Sequence, residues 1–289
     1  MKRSKIQFLS AMSIFGTIGI FVRYIPLSSA AIAFCRGLLG LLFLAAVMLL
    51  TGKKPDTAAI RRNLPILMLS GAAMGFNWIL LFESYNHTTV ATATVCYYLA
   101  PLLLLLLSPL VGERITGKNL LCVGIALVGL VCVSGVLDSG LPAITELQGI
   151  LLGIGAAALY ATVMFLNKKL SPIPAYDKTA LQLGSATVVI LPYMLLTQGV
   201  SSPELTVLQW LLLATVCIVH TGFAYTLYFG AIKELNAKTV AIFSYLDPAI
   251  AIVLSAVLLK EPMGLTDIIG TLLILGSALY SELPERKKA

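Results

Sequence analysis

Tyr98-Leu99-Ala100-Pro101 and Tyr245-Leu246-Asp247-Pro248 are two copies of one short pattern, each set near the middle of an apolar run. Each copy follows a turn-like polar segment. Each run is succeeded by an acidic loop, Gly112-Glu113-Arg114 in one case and Lys260-Glu261-Pro262 in the other, and then by a last Gly-rich apolar run. A pattern that returns together with its surroundings marks a duplicated chain.

Sliding the halves over one another at an offset of about 145 to 148 residues aligns more than this pattern. Arg23 falls on Lys168, Arg36 on Gln182, Gly75-Phe76 on Gly222-Phe223, Trp78 on Tyr225, Phe82 on Phe229, and Gly124-x-x-Leu127 on Gly270-x-x-Leu273. The charge of Arg36 has no counterpart in Gln182, so the copies are not electrostatically equivalent.

Composition sets the class. Of the 289 residues 58% are hydrophobic and 11% are charged, with a mean hydropathy of +0.95, and so few charges cannot cover a water-soluble domain. The chain reads as an all-α integral membrane protein. A net charge of +7 and a pI near 9.2 do not point to nucleic acid, because the basic residues sit in short loops between apolar runs.

Apolar segments long enough to cross ~30 Å of hydrocarbon as helices fall at about 6–24, 28–50, 64–84, 89–111, 118–136, 148–167, 178–197, 207–230, 239–259 and 264–282. These ten predicted transmembrane helices divide into two five-helix repeats, 1–136 and 148–284, within one membrane domain. The connector Leu137-Asp138-Ser139-Gly140-Leu141-Pro142 joins them. An odd number of spans per repeat turns the second copy upside down relative to the first, and inverted repeats of this kind place a substrate site near the midplane where the halves meet. Glycine pairs at short spacing (Gly16/Gly19, Gly37/Gly40, Gly71/Gly75, Gly149/Gly153) read as close helix approach in lipid.

With the N-terminus in the cytoplasm, seventeen of the 20 Lys and Arg residues lie on the inner side, Arg23 and Lys260 outside and Arg36 within a span. That bias predicts a multi-pass protein of the inner (plasma) membrane with both termini cytoplasmic. Met1-Lys2-Arg3-Ser4-Lys5, the apolar run after it and Ala31-Ile32-Ala33 imitate a cleavable signal peptide, but the first run is expected to stay as the partner of a matching run in the second half. Five cysteines (Cys35, Cys96, Cys122, Cys132, Cys217) all fall inside apolar runs and read as small packing residues.

The two five-span repeats, Arg36 in span two, the Tyr98-Leu99-x-Pro101 and Tyr245-Leu246-x-Pro248 elements, and the Glu113 and Glu261 loops together resemble the drug/metabolite transporter superfamily, in particular its ten-helix EamA-type permeases. The resemblance covers essentially the whole chain. It implies a carrier that faces alternately in and out and moves small metabolites such as amino acids, amines or nucleobase-like compounds, often outward.

Polar and aromatic residues at mid-membrane depth are the candidate substrate contacts. Arg36 is costly to place there, by about 2.5–3.5 kcal/mol at a helix centre, and reads either as an anion contact or as a long side chain tying helices together. Asn77 and Trp78 in span three, and Tyr225 and Tyr228 in span eight, occupy comparable depths in the two halves, where aromatic rings suit an amine or a flat ring, the alternative for Trp78 and Tyr228 being the interfacial belt. Tyr97 and Tyr98 point about 100° apart on a regular helix, so one of them is favoured, and Tyr98 has Tyr245 as its repeat partner. Tyr160 in span six needs a partner for its phenol. His220 in span eight reads as a proton relay or as a histidine bonded to a nearby backbone carbonyl, and Glu83 and His87 read as solvated loop residues. Asp247 is the one carboxylate near the bilayer centre, retained either as the cap of a helix restarted at Pro248 or for its charge.

Enzyme signatures are lacking: Gly117-Lys118 is no phosphate loop, two histidines support no catalytic trio, and no cofactor or metal set is spelled out. The expected function is secondary transport, as exporter or exchanger of small metabolites by alternating access, with protons as a candidate coupling ion and the lipid bilayer as surroundings. A broad cationic drug exporter of the same fold is the first rival, and a membrane scaffold or lipid-modifying enzyme the second. A duplicated chain completes its own cavity, so monomer and homodimer are both open.

Overall fold

A computed structural model describes residues 2–107, 109, 115–134, 137, 143–198, 204–232, 234–235 and 237–283. The Gly112-Glu113-Arg114 loop and all of the connector after Leu137 lie outside the described residues. Among them there is helix and no strand. In order the helices are α1 (Lys2–Arg23), α2 (Ser29–Leu50), α3 (Thr57–His87), α4 (Val90–Tyr97), α5 (Ala100–Leu107), α6 (Gly117–Val133), α7 (Ile144–Lys168) and α8 (Ala175–Gln198). Then come α9 (Val207–Ala214), a π-helical segment (Thr215–Phe223), α10 (Ala224–Ile232), α11 (Ala237–Ser244), α12 (Leu246–Leu258) and α13 (Leu265–Glu282).

Seven stretches among the described residues are long and apolar enough to cross a membrane, and three shorter apolar helices, Gly117–Val133, Leu246–Leu258 and Leu265–Ser281, accompany them. The predicted run 64–84 is longer than expected, extending over Thr57–His87. Its start is set by Asp56, whose side chain accepts from the Ala59 N–H. Glu83 and His87 accordingly belong to this helix rather than to a loop; the Ser29 hydroxyl donates to Glu83 at 2.6 Å and His87 lies 3.4 Å from its other oxygen.

The predicted runs 89–111 and 239–259 are each interrupted. α4 gives way to α5 at Tyr98-Leu99, and α11 to α12 at Tyr245. Pro101 and Pro248 explain both breaks, since a proline inside a helix lacks the N–H for the carbonyl four residues back and crowds it.

Helix ends sort into two groups by their hydrogen bonds. At one end the Ser4 hydroxyl donates to Glu234, the Asp56 N–H to Asp177 (2.9 Å), the Ser171 N–H to Asn63 (2.9 Å) and Lys118 to the Leu283 carbonyl. At the other the Ser84 hydroxyl donates to the Gly149 carbonyl (2.7 Å), and the Val90 N–H, at the start of α4, to Glu261 (2.9 Å). The helices therefore run back and forth between two faces of one bundle.

Within the bundle α3 lies against α7 and α8, α2 against α8 and the π-helical segment, α1 against α10 and α12, and α6 against α13. Glycine permits these approaches, as the short spacings suggested. A Cβ added at any member of the four pairs would stand 3.0 Å or less from an atom of another helix or loop, and at Gly16 it would meet the Asp247 carbonyl oxygen at 2.4 Å. The apolar core gathers Trp78, Phe82, Tyr85, Leu183, Ile190 and Val216, with Tyr97 and Tyr225 packed on its edge. Cys96, Cys122, Cys132 and Cys217 are buried and Cys35 is half-buried, all within helical segments.

Candidate functional site

The two helix breaks meet. At the end of α4 and of α11 the backbone tightens, with Tyr98 and Tyr245 at φ −74° and −75° and ψ near 0°, and the side chains of the two breaks face each other. The Tyr98 hydroxyl donates to Asp247 Oδ2 at 2.8 Å and lies 3.4 Å from the Ser244 carbonyl oxygen, while the Tyr98 and Tyr245 rings stand 6.0 Å apart at 50°. The Ser244 carbonyl is the one that Pro248 deprives of its helical donor.

Asp247 is not the cap of α12. Tyr245 holds that position without a side-chain cap bond, and Asp247 lies in the first turn, so the capping role weighed from the Asp-Pro pair is absent. The carboxylate is half-buried, and among the described residues no cation lies within 4 Å of it. Arg36, considered as its partner, makes no ion pair with it.

Tyr97 belongs to the same cluster, although adjacency to Tyr98 on a regular helix argued that only one of the two would face the centre. It stacks on Tyr160 at 5.2 Å and 18°, lies 6.2 Å from Tyr98 at 80°, and donates to Asn77 Oδ1 at 3.4 Å. Tyr98 keeps the helical N–H bond to the Thr94 carbonyl (3.0 Å), so the two side chains diverge as on a helix, and each finds its own partners: Tyr160 and Asn77 for Tyr97, Asp247 for Tyr98. Asn77 is buried and donates from Nδ2 to the Ala156 carbonyl at 2.6 Å, joining α3 to α7. Tyr160, Tyr98, Tyr245 and Asp247 thus converge, with Tyr97 as the contact that sequence reasoning passed over.

A second group lies around Arg36. Its Nε donates to Thr221 Oγ1 at 2.8 Å, and its guanidinium carbon stands 4.3 Å from the centre of the Trp78 ring and 5.8 Å from that of Phe82. Trp78 is 4% exposed, which removes it from any interfacial belt, and its face is occupied by an internal cation. No hydrogen bond from the Arg36 Nη nitrogens occurs among the described residues.

His220 sits one residue before Thr221 in the π-helical segment, buried, with Nδ1 3.2 Å from the Thr215 carbonyl and Nε2 2.8 Å from Thr17 Oγ1. It therefore ties α1 to the π-helical segment. Phe21 covers its ring at 4.9 Å. The wider π turn brings the carbonyl five residues back within reach of both His220 and Thr221, whose hydroxyl lies 3.3 Å from the Val216 carbonyl. Nothing in the residue pattern signals that turn. Tyr225 stands apart from both groups in its ring contacts, with Phe15 at 5.6 Å and Phe229 at 5.8 Å. Gln182, the counterpart of Arg36, is buried and donates to Ser70 Oγ and Asn167 Oδ1, each at 2.8 Å.

With this geometry in place, the model of the EamA-like transporter family matches residues 3–135 and again 147–281. An uncharacterized transporter of Bacillus subtilis, YxxF, is 30% identical over 287 residues, covering 98% of this chain and 91% of the relative. An uncharacterized transporter of Archaeoglobus fulgidus is 29% identical, covering 94% and 93%. A solved crystal structure shares the fold with a TM-score of 0.64 at 19% identity, over 96% of each chain. The chain belongs to the EamA-like transporter family and is a multi-pass membrane transporter.

Proposed function

We propose that the protein is a secondary transporter built as ten membrane-spanning helices in two inverted five-helix repeats, 1–136 and 148–284, that rock about a central site. It moves small metabolites such as amino acids or amines, as exporter or exchanger, by alternating access in the inner membrane with both termini cytoplasmic. The observation that carries this reading is the meeting of the two Pro-broken helices at Tyr98 and Asp247, a carboxylate at a helix break amid Tyr97, Tyr160 and Tyr245. Broken helices at the interface between repeats are where such carriers hold their cargo.

Two further observations support the repeat. The family model matches each half separately. Interhelical contacts also come in exchanged pairs: α3 with α7 mirrors α1 with α10, and α3 with α8 mirrors α2 with the π-helical segment. Orientation rests on the basic residues of the loops.

Arg36, Asn77, Trp78, Tyr98, Tyr160, His220, Tyr225, Tyr245 and Asp247 are assigned to the site in three roles. Tyr98, Tyr160, Tyr245 and Asp247 line it. Arg36, Asn77, Trp78 and His220 hold the helices that carry it, and Tyr225 packs on the edge of the apolar core. The half-buried carboxylate without a cation also favours a second reading, a broad cationic drug exporter of the same fold.

Reconstitution into liposomes loaded with a metabolite mixture tests the proposal. Exchange of one or a few metabolites supports the first reading, and competition by many unrelated organic cations the second. Failure to move any component above protein-free liposomes would overturn both.

A further inference from the structure

We propose that the Tyr98 hydroxyl is an internal stand-in for the N–H donors of a protonated amine, and that Asp247 Oδ2 and the Ser244 carbonyl form the ammonium site it fills. This rests on the reading that the substrate binds where the two helix breaks meet.

Two acceptors converge on one proton there. Asp247 Oδ2 at 2.8 Å and the Ser244 carbonyl at 3.4 Å share the Tyr98 hydroxyl, which has a single hydrogen to donate. The carboxyl oxygen, as the nearer acceptor, takes it. The Ser244 carbonyl then lacks a full partner, because residue 248 is proline and the Ser244 side chain turns away to donate to the Val240 carbonyl at 2.8 Å.

An ammonium group supplies what the hydroxyl cannot: more than one N–H and a positive charge. Its bond to the carboxylate would be charge-assisted on both sides, the stronger kind. Tyr245 and Tyr97, whose rings stand 6.0 and 6.2 Å from Tyr98, offer aromatic faces to the carbon next to the nitrogen. A quaternary ammonium meets the charge and the rings but has no N–H for either acceptor. The site therefore selects amines that keep an N–H over their fully methylated analogues, and Tyr98 must let go of Asp247 when an amine arrives.

The direction of one substitution follows. Tyr98→Phe keeps the ring and removes the competing donor, so amine affinity rises. Had the hydroxyl been a direct substrate contact, affinity would fall.

The experiment measures binding of phenethylammonium and its N,N,N-trimethyl analogue to the full chain in lipid nanodiscs. The parent protein is expected to bind the primary amine at least about tenfold more tightly, a difference of roughly one good charged hydrogen bond. Tyr98→Phe should tighten the primary amine by about threefold or more and leave the trimethyl compound within about twofold. Pro248→Ala restores an N–H to the Ser244 carbonyl and should weaken the primary amine alone by a similar factor. Asp247→Asn should abolish saturable binding of both probes.

Equal affinity for the two probes, or weaker amine binding by Tyr98→Phe, overturns the inference. If Asp247→Asn still abolishes binding in that case, the central cation site stands without it. Absence of saturable binding by the parent protein also overturns the inference, and the liposome exchange assay then judges the transport reading separately.

Discussion

The Tyr98 hydroxyl meets Asp247 Oδ2 at 2.8 Å, so that the two copies of the Tyr-Leu-x-Pro pattern touch each other across the bundle. Asn in place of Asp247 keeps an oxygen for the hydroxyl and removes the charge. Asp247→Asn should therefore fold with stability within about 1 kcal/mol of the parent, the scale of one net hydrogen bond, yet lose transport of cationic substrates. Asp247→Ala strips the hydroxyl of its nearer acceptor, leaving the Ser244 carbonyl at 3.4 Å, and should cost about 1–3 kcal/mol as well. Thermal unfolding in detergent read beside flux in liposomes separates these outcomes, and an Asn variant with parental flux would take the charge out of the mechanism.

Arg36 is a tie between helices in this structure. Arg36→Leu loses the Trp78 contact, worth about 0.5–2 kcal/mol, and leaves Thr221 without that donor. Arg36→Lys keeps a cation near the ring and loses the planar Nε–H that reaches Thr221. Trp78 and Trp210 are the 2 tryptophans of the chain, so in a Trp210→Phe background Trp78 emission reports the change directly. Both variants should shift that emission, and Arg36→Leu should melt earlier than Arg36→Lys.

Gly16 and Gly124 should respond oppositely to alanine. The added methyl at Gly16 runs into the Asp247 carbonyl oxygen at 2.4 Å, whereas at Gly124 it meets nothing within 4 Å. Gly16→Ala should cost about 1–3 kcal/mol through overpacking, and Gly124→Ala should be neutral or stabilise by up to about 1 kcal/mol through helix propensity. Unfolding midpoints that fail to separate would show that α1 can retreat from α12 freely.

Thr17→Val keeps the shape of the side chain and removes the hydroxyl from His220 Nε2. A buried ring nitrogen left alone costs about 1–3 kcal/mol. The variant should unfold earlier by that amount, and a double variant with His220→Leu should recover part of the loss, which a cycle of unfolding measurements reads as coupling.

Sidedness can be read with single cysteines in a background without the native five. Glu204→Cys should react with a membrane-impermeant thiol reagent in intact cells, while Thr57→Cys should react only after permeabilisation. Both positions are exposed, so accessibility does not confound the result. The reverse pattern would invert the orientation.

The membrane class and the helical runs were legible in the sequence, because hydropathy over about 20 residues acts locally. Of the two Pro-marked breaks only a helix restart at Pro248 was read there, whereas 89–111 was expected as one unbroken run. The glycine pairs were also legible as contact points, since only a residue without Cβ permits such approach. Which side chains meet was decided by tertiary structure alone. Tyr97 and Tyr98 both join the cluster because helices on two sides of α4 supply partners, Tyr160 and Asn77 for one and Asp247 for the other, and Arg36 is matched to Trp78 and Thr221 rather than to Asp247 because α2 lies against α3 and the π-helical segment. The π turn that brings His220 to Thr17 has no local signature either. Contacts of this kind depend on how each helix is rotated about its axis and how near its neighbours come, and those quantities are set jointly by all the helices that pack together.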